Sequence, residues 1–416
     1  MKVLHVTAHD NGGAGEAAYL VYKGLQEQGF DSKFLCMYNL SSKSDVCDTS
    51  NNSKISNFLF KVRHKLMSYL LNTSDKNYSF FDKGVYSIND SKELFRHLEG
   101  FEPDIIIFYW ISTFINPKVI HEISQNSTIK TFWYLTDMAP LTGGCHYAWE
   151  CEGYLNECGR CPALHSYDDN DLSRKIFQKK KHYLEESNVT LISPNSYVSQ
   201  QVQRSGLFKT SKAEEVFYGV DSDFFHQGDK AKLRKRFNIT MTKKVIFFGA
   251  TNVDEKRKGV EYFIKAVNLL YDELKSRDTL ICIAGNSNGL LGNIKLDVLD
   301  FGFVDYSMLR DLYVCSDLAV IPSIEDTGPI MSCEVMMTGT PLVAFDIGIS
   351  GDLIDTQTGY IAEKGNYHQL AEGIMSIIGK SEAEYEQMTT ACRARAVNIC
   401  EKNKVISDLI KVLTIP

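Results

Sequence analysis

Residues 318–345 read LAVIPSIEDTGPIMSCEVMMTGTPLVAF. An apolar, strand-favouring run stops at Pro322, a loop with adjacent carboxylates Glu325 and Asp326 follows, and Pro329 marks a helix start. Gly339-Thr340-Pro341 then breaks the helix before a second apolar run, Leu342–Phe345. Two short apolar strands joined by a helix form the repeating unit of a parallel sheet covered on both faces. In that unit the loop leaving the first strand lies at the carboxyl end of the sheet beside a helix N-terminus, whose amides favour an anion. Carboxylates in the same loop suit the hydroxyls of a sugar.

The same alternation extends through the chain. Short runs rich in Val, Ile and Phe recur at Val3–Ala8, Lys33–Tyr38, Asp104–Trp110, Lys130–Leu135, Val189–Ser193, Val245–Gly249 and Leu280–Gly285, with amphipathic segments between them. The pattern restarts, because Val3–Ala8 and Val245–Ala250 each lead into a turn and a helix. An α/β chain of two doubly wound, Rossmann-like parallel-sheet domains facing a cleft is the economical expectation, and 416 residues suffice for it. The expected boundaries are 1–210 for an N-terminal domain with a cysteine-rich insertion at 142–165, 211–395 for a C-terminal domain, and 396–416 for a helix packing back on the first domain.

Composition narrows function. A net charge of -7 argues against a dedicated nucleic-acid binder, since phosphate backbones need basic surfaces. The N-terminus runs straight into a strand pattern without a signal region, and no apolar stretch is long enough to span a bilayer, which predicts a cytoplasmic protein. Residues 54–71 stand apart. Lys54, Lys61, Arg63, His64 and Lys65 interleave with Ile55, Phe58, Leu59, Val62, Leu66 and Leu70, with no acid between Thr49 and Ser74. That pattern reads as a domain helix with a solvated face, with peripheral contact with the inner face of a membrane as the other reading.

Four of the eleven cysteines cluster as Cys145, Cys151, Cys158 and Cys161. One C-x2-C knuckle plus two further thiolates could close a structural zinc site, with His146 able to replace one ligand. Disulfides and unligated thiols are the alternatives. After the first strand, Asn11-Gly12-Gly13-Ala14-Gly15 opens a helix, but its spacing departs from the dinucleotide fingerprint and disfavours a nicotinamide enzyme.

These motifs together resemble the retaining GT-B glycosyltransferases of family four, the bacterial group that builds surface polysaccharides. Members carry a Glu-x7-Glu pair in the loop and helix quoted above; here it reads Asp326-x7-Glu334, with Glu325 one residue earlier. The resemblance implies that Glu334 binds the donor ribose, and that Asp326, Glu325 and Asp137 stand in the catalytic set. It implies donor contacts from Arg257, Lys258, Gly13, Ala14, Val304, Gly328, Pro329 and Ile330, with Lys258 and Arg257 neutralising the diphosphate in place of a metal. Gly12, Tyr109 and Thr136 fall on the acceptor side, and Tyr313 through Ser323 looks like the strand leading into the acidic loop. Where relatives often show His-Leu-His-Trp this chain has Ile107-Phe108-Tyr109-Trp110, and where they often show His-Asp it has Thr136-Asp137, so imidazoles usual in the family are lost. Some polysaccharide-building members carry a similar Thr-Gly-Gly-Cys insertion.

The implied activity is transfer of a hexose from a nucleoside diphosphate sugar to a glycan or lipid-linked oligosaccharide, with retention and without a cofactor for catalysis. A catalytically weak, sugar-nucleotide-binding scaffold subunit is the alternative that the lost histidines suggest, and an epimerase is a third.

Overall fold

The computed structural model describes residues 1–49, 54–71, 75–209, 211, 213–287 and 289–415; the side chains of residues 54–58 and 76, which include Lys54, Ile55 and Phe58, lie outside that description. Among the described residues are thirteen strands. Those of the first sheet are β1 (Lys2–His9), β2 (Asp31–Tyr38), β3 (Val46–Asp48), β4 (Ile105–Phe108), β5 (Lys130–Tyr134), β6 (Thr190–Ser193) and β7 (Ala213–Glu215). The second sheet holds β8 (Lys244–Asn252), β9 (Thr279–Asn286), β10 (Asp297–Asp300), β11 (Leu318–Ile321), β12 (Leu342–Phe345) and β13 (Gly359–Ala362).

Every strand pair is parallel, in the orders β3-β2-β1-β4-β5-β6-β7 and β10-β9-β8-β11-β12-β13. The central strands are apolar at each position because helices cover both faces: Ile105–Phe108 and Leu342–Phe345 are buried throughout. Each sheet winds outward in two directions from its middle, reversing between β1 and β4 and between β8 and β11. The carboxyl ends of those strand pairs are the topological switch points where such sheets bind ligands.

Two compact units result, Met1–Gly219 with Val405–Pro416, and Val220–Lys404. Both divisions fall nine residues later than the sequence suggests, for local reasons. β7 extends the first sheet, and the Tyr134 hydroxyl donates to the carbonyls of Val216 and Phe217 at 2.5 and 2.9 Å. Tyr218 stacks on Tyr134, so the chain stays with the first unit through Gly219. At the other end, the helix Glu382–Cys400 buries Met388, Cys392, Ala396 and Cys400 in the second unit. Only the next helix, Lys402–Thr414, returns to the first, with Val405, Ile406, Leu409 and Leu413 as its buried stripe. Gly24 makes room for it: a Cβ there would lie 2.5 Å from Ile406 Cγ1. Tyr313 belongs to the helix Tyr306–Cys315 that precedes β11, not to the strand itself, because the apolar run begins only after Ser316-Asp317.

Candidate donor and acceptor sites

In the second unit the loop after β8 and the loop after β11 lock together at the switch point. Lys256–Lys258 form a single 3-10 turn, and Gly259, at φ 71°, starts the helix Val260–Leu269. Glycine is required at that position, since a Cβ would sit 1.8 Å from the Pro322 carbonyl oxygen. The Ile324 amide donates to the Arg257 carbonyl at 2.8 Å, completing the join.

This backbone brings Arg257, Lys258 and Asp326 together. Lys258 Nζ lies 2.7 Å and Arg257 Nη1 3.0 Å from Asp326 Oδ2, while the Gly328 amide donates to Oδ1 at 3.2 Å. Burial alone would raise the Asp326 pKa, but the two cations outweigh it and hold the carboxyl below its usual value. Glu325 is buried and pairs with Lys364 at 3.1 Å. Gly328, Pro329 and Ile330 form the entrance to the helix Ile330–Met337. A Cβ on Gly348, in the loop after β12, would lie 2.8 Å from the Gly328 nitrogen, so a third loop closes on the same point.

Glu334, one turn into that helix, has the opposite electrostatics. Its partner is the Tyr313 hydroxyl, which donates to Oε2 at 3.0 Å, and burial pushes its pKa up to about 7. Val304 is half buried in the loop after edge strand β10. That loop is anchored by hydrogen bonds from Phe301 to Ile283 and from Gly285 to Gly302.

In the first unit, the loop after β1 places Gly12 at φ 70°, with open space where a Cβ on Gly12 or Gly13 would point. Ala14 follows at the first turn of the helix Gly12–Glu27. Gly15 has a packing role, because a Cβ there would lie 2.6 Å from the Asp10 carbonyl carbon. Tyr109 follows β4 and is packed inward. It is 1% exposed, its hydroxyl lies 3.0 Å from His5 Nδ1, and its ring stacks between His5 and Tyr134. A tyrosine at the carboxyl end of an all-buried strand fills the core.

Thr136 and Asp137 follow β5, and both are buried. Asp137 Oδ1 accepts the Ala139 amide at 3.2 Å and Oδ2 contacts His146 Nδ1 at 2.7 Å. An imidazole therefore does stand beside this carboxylate, supplied from the cysteine-rich segment rather than from position 136. Lys180, 3% exposed, holds the same loop by donating to the carbonyls of Ala139 and Thr142 and pairing with Asp82 at 2.9 Å. His146 was visible in sequence only as an alternative zinc ligand; Lys180 and Lys364 carried no signal, lying on ordinary helix or loop patterns.

The cysteine-rich segment does not assemble the expected zinc site. The neighbouring Cys161 thiol and burial hold the Cys145 thiol well above its usual range. The Gly153 amide donates to Cys151 Sγ at 3.4 Å. Among the described residues no group of three or more His, Cys, Asp or Glu side chains could hold a metal ion, and all eleven cysteines are free. The four thiols feel one another electrostatically, yet no three of them are grouped as metal ligands among the described residues.

Two parallel-sheet, Rossmann-like domains with acidic and basic loops at the second switch point define the GT-B architecture. Residues 242–380 match the family model for glycosyl transferases group 1. Among curated relatives, the chain is similar to the putative colanic acid biosynthesis glycosyl transferase WcaC of Escherichia coli (strain K12), at 22% identity over 94% of this chain and 96% of the relative. It is also similar to the uncharacterized glycosyltransferase MJ1607 of Methanocaldococcus jannaschii, at 24% identity over 47% of this chain; the match spans half the relative's length. Among solved structures, Anabaena Alr3699/HepE in complex with UDP superposes with a TM-score of 0.67 at 13% identity, covering 100% of both chains.

Proposed function

We propose that the chain is a retaining glycosyltransferase that moves a hexose from a nucleoside diphosphate sugar to a glycan or lipid-linked oligosaccharide in surface polysaccharide synthesis. The observation that carries this reading is the convergence of Lys258 and Arg257 on Asp326 at the β8/β11 switch point. Two cations at a sheet's carboxyl end suit a diphosphate, and adjacent carboxylates suit sugar hydroxyls. In this reading Lys258 and Arg257 neutralise the leaving diphosphate, the backbone at Gly328, Pro329 and Ile330 cradles it, and Val304 lies toward the base. Glu334 accepts from the donor ribose, and Asp326 with Glu325 orients the hexose. By the family resemblance Gly13 and Ala14 are read as donor contacts, with Gly12 and Thr136 on the acceptor side and Asp137 held beside His146.

Asp326 is poorly suited to be a general base, because the paired cations stabilise its ionised form. That favours a front-face course in which the departing phosphate takes the acceptor proton and the protein contributes positioning and charge stabilisation. The names of WcaC and of the UDP complex support the polysaccharide and nucleotide parts of the reading.

Calorimetric titration with a panel of nucleoside diphosphates tests the site. One of them binds, and Lys258→Ala weakens it roughly ten- to a hundred-fold, as expected for a hydrogen bond to a charged group. Binding unaltered by Lys258→Ala rejects the assignment.

A further inference from the structure

Among the described side chains, the helix Lys54–Leu70 has two apolar sides, one buried and one exposed. Phe60 is buried with its ring 5.6 Å from His64, Met67 and Ser68 are half buried, and Leu71 packs beside the cluster of Phe80 and Cys145. Lys83 Nζ donates to Ser68 Oγ at 2.7 Å on this side. Positions 60, 64, 67, 68 and 71 form one helical stripe.

The far side is apolar as well. Leu59 is 55% exposed, Val62 48%, Leu66 57%, Tyr69 76% and Leu70 61%. Leu59, Val62, Leu66 and Tyr69, spaced three, four and three residues apart, with Leu70 beside them, make a second continuous stripe nearly opposite the first. Single exposed apolar side chains are ordinary, but five along one helix face form a patch that water does not favour. Both borders of this patch are cationic. Lys65, with Lys61 beyond it, flanks one edge and Arg63 the other, and all three are exposed. No acid occurs between Thr49 and Ser74, although the whole chain carries -7.

The geometry points to an anionic lipid bilayer surface as the occupant of this face. The helix lies in the plane of the interface, with Leu59, Val62, Leu66 and Leu70 at the acyl boundary and Tyr69 at headgroup level. Lys61, Arg63 and Lys65 meet the lipid phosphates. A protein partner could cover the stripe, but cations on both borders without one intervening acid match a uniformly negative plane. No helix among the described residues is long and apolar enough to cross a membrane, so the contact is in-plane docking.

Flotation of the full chain with phosphatidylcholine vesicles, with and without phosphatidylglycerol, tests this without any nucleotide sugar, so it stands or falls apart from the donor site. The protein floats with the anionic vesicles, and added salt weakens binding. Lys61→Gln, Arg63→Gln and Lys65→Gln each cost roughly five-fold in affinity. Leu59→Glu with Leu66→Glu abolishes flotation while circular dichroism and thermal unfolding stay as in the parent; Tyr167→Ser, at an exposed aromatic elsewhere, changes nothing. Equal binding to neutral vesicles overturns the proposal, as does retention by the double glutamate variant. A Leu66-dependent dimer that fails to float assigns the face to a second copy and overturns it too.

Discussion

Asp326 and Glu334 are both buried acids eight positions apart, yet their surroundings drive their ionisation in opposite directions. Burial penalises both anions, but only Asp326 has two cations within hydrogen-bonding distance. For Glu334 the folded pKa of about 7 exceeds the usual 4.5. Between those values the native state binds more protons than the unfolded chain, so this residue's contribution is fully present below pH 4.5 and lost as pH rises through 7. The loss is on the order of 3 kcal/mol. Glu334→Gln removes the slope, so urea unfolding should show the variant gaining on the parent from pH 5 to pH 8; a pH-independent difference contradicts the assigned environment. Asp326 behaves in reverse, its depressed pKa giving stability present near neutrality and lost as pH falls below the usual 3.8.

At the scale of elements, the strands that sequence patterning reveals are the interior ones. β3, β7, β10 and β13 are the four sheet edges, and they read VCD, AEE, DVLD and GYIA. An edge strand faces water along one side, so it need not be an apolar run and leaves little pattern to read. The acid–base loop was legible because a switch-point loop needs particular residue types, whereas the Asp137–His146 contact joins residues of no shared periodicity and appears only in the fold. Glycines divide in the same way. Gly259→Ala would drive a Cβ into the Pro322 carbonyl and should cost on the order of 3 kcal/mol in thermal unfolding. Gly13→Ala meets open space, so stability should shift by less than about 0.5 kcal/mol. A loss of transfer activity in that stable variant would then report ligand contact rather than folding.

For the whole molecule, the chain leaves and re-enters its first unit. Val220 donates to the Cys400 carbonyl at 2.7 Å and Lys402 donates to Val220 at 3.0 Å, so the two ends of the second unit pair side by side. A donor held by the second unit should stabilise it by mass action, about 2.7 kcal/mol at a hundred-fold excess over Kd. A thermal-shift scan should therefore rank nucleoside diphosphate sugars by affinity. The proposed role of the Lys258–Arg257–Asp326 cluster is sugar transfer. It is tested most directly by incubating the chain with the best-bound sugar nucleotide and a membrane glycan extract, then determining the anomeric configuration of the product by NMR. Acceptor-dependent release of the nucleoside diphosphate with a retained anomeric centre, abolished in Lys258→Ala, is the predicted result; an inverted product, or binding without any transfer, would contradict it.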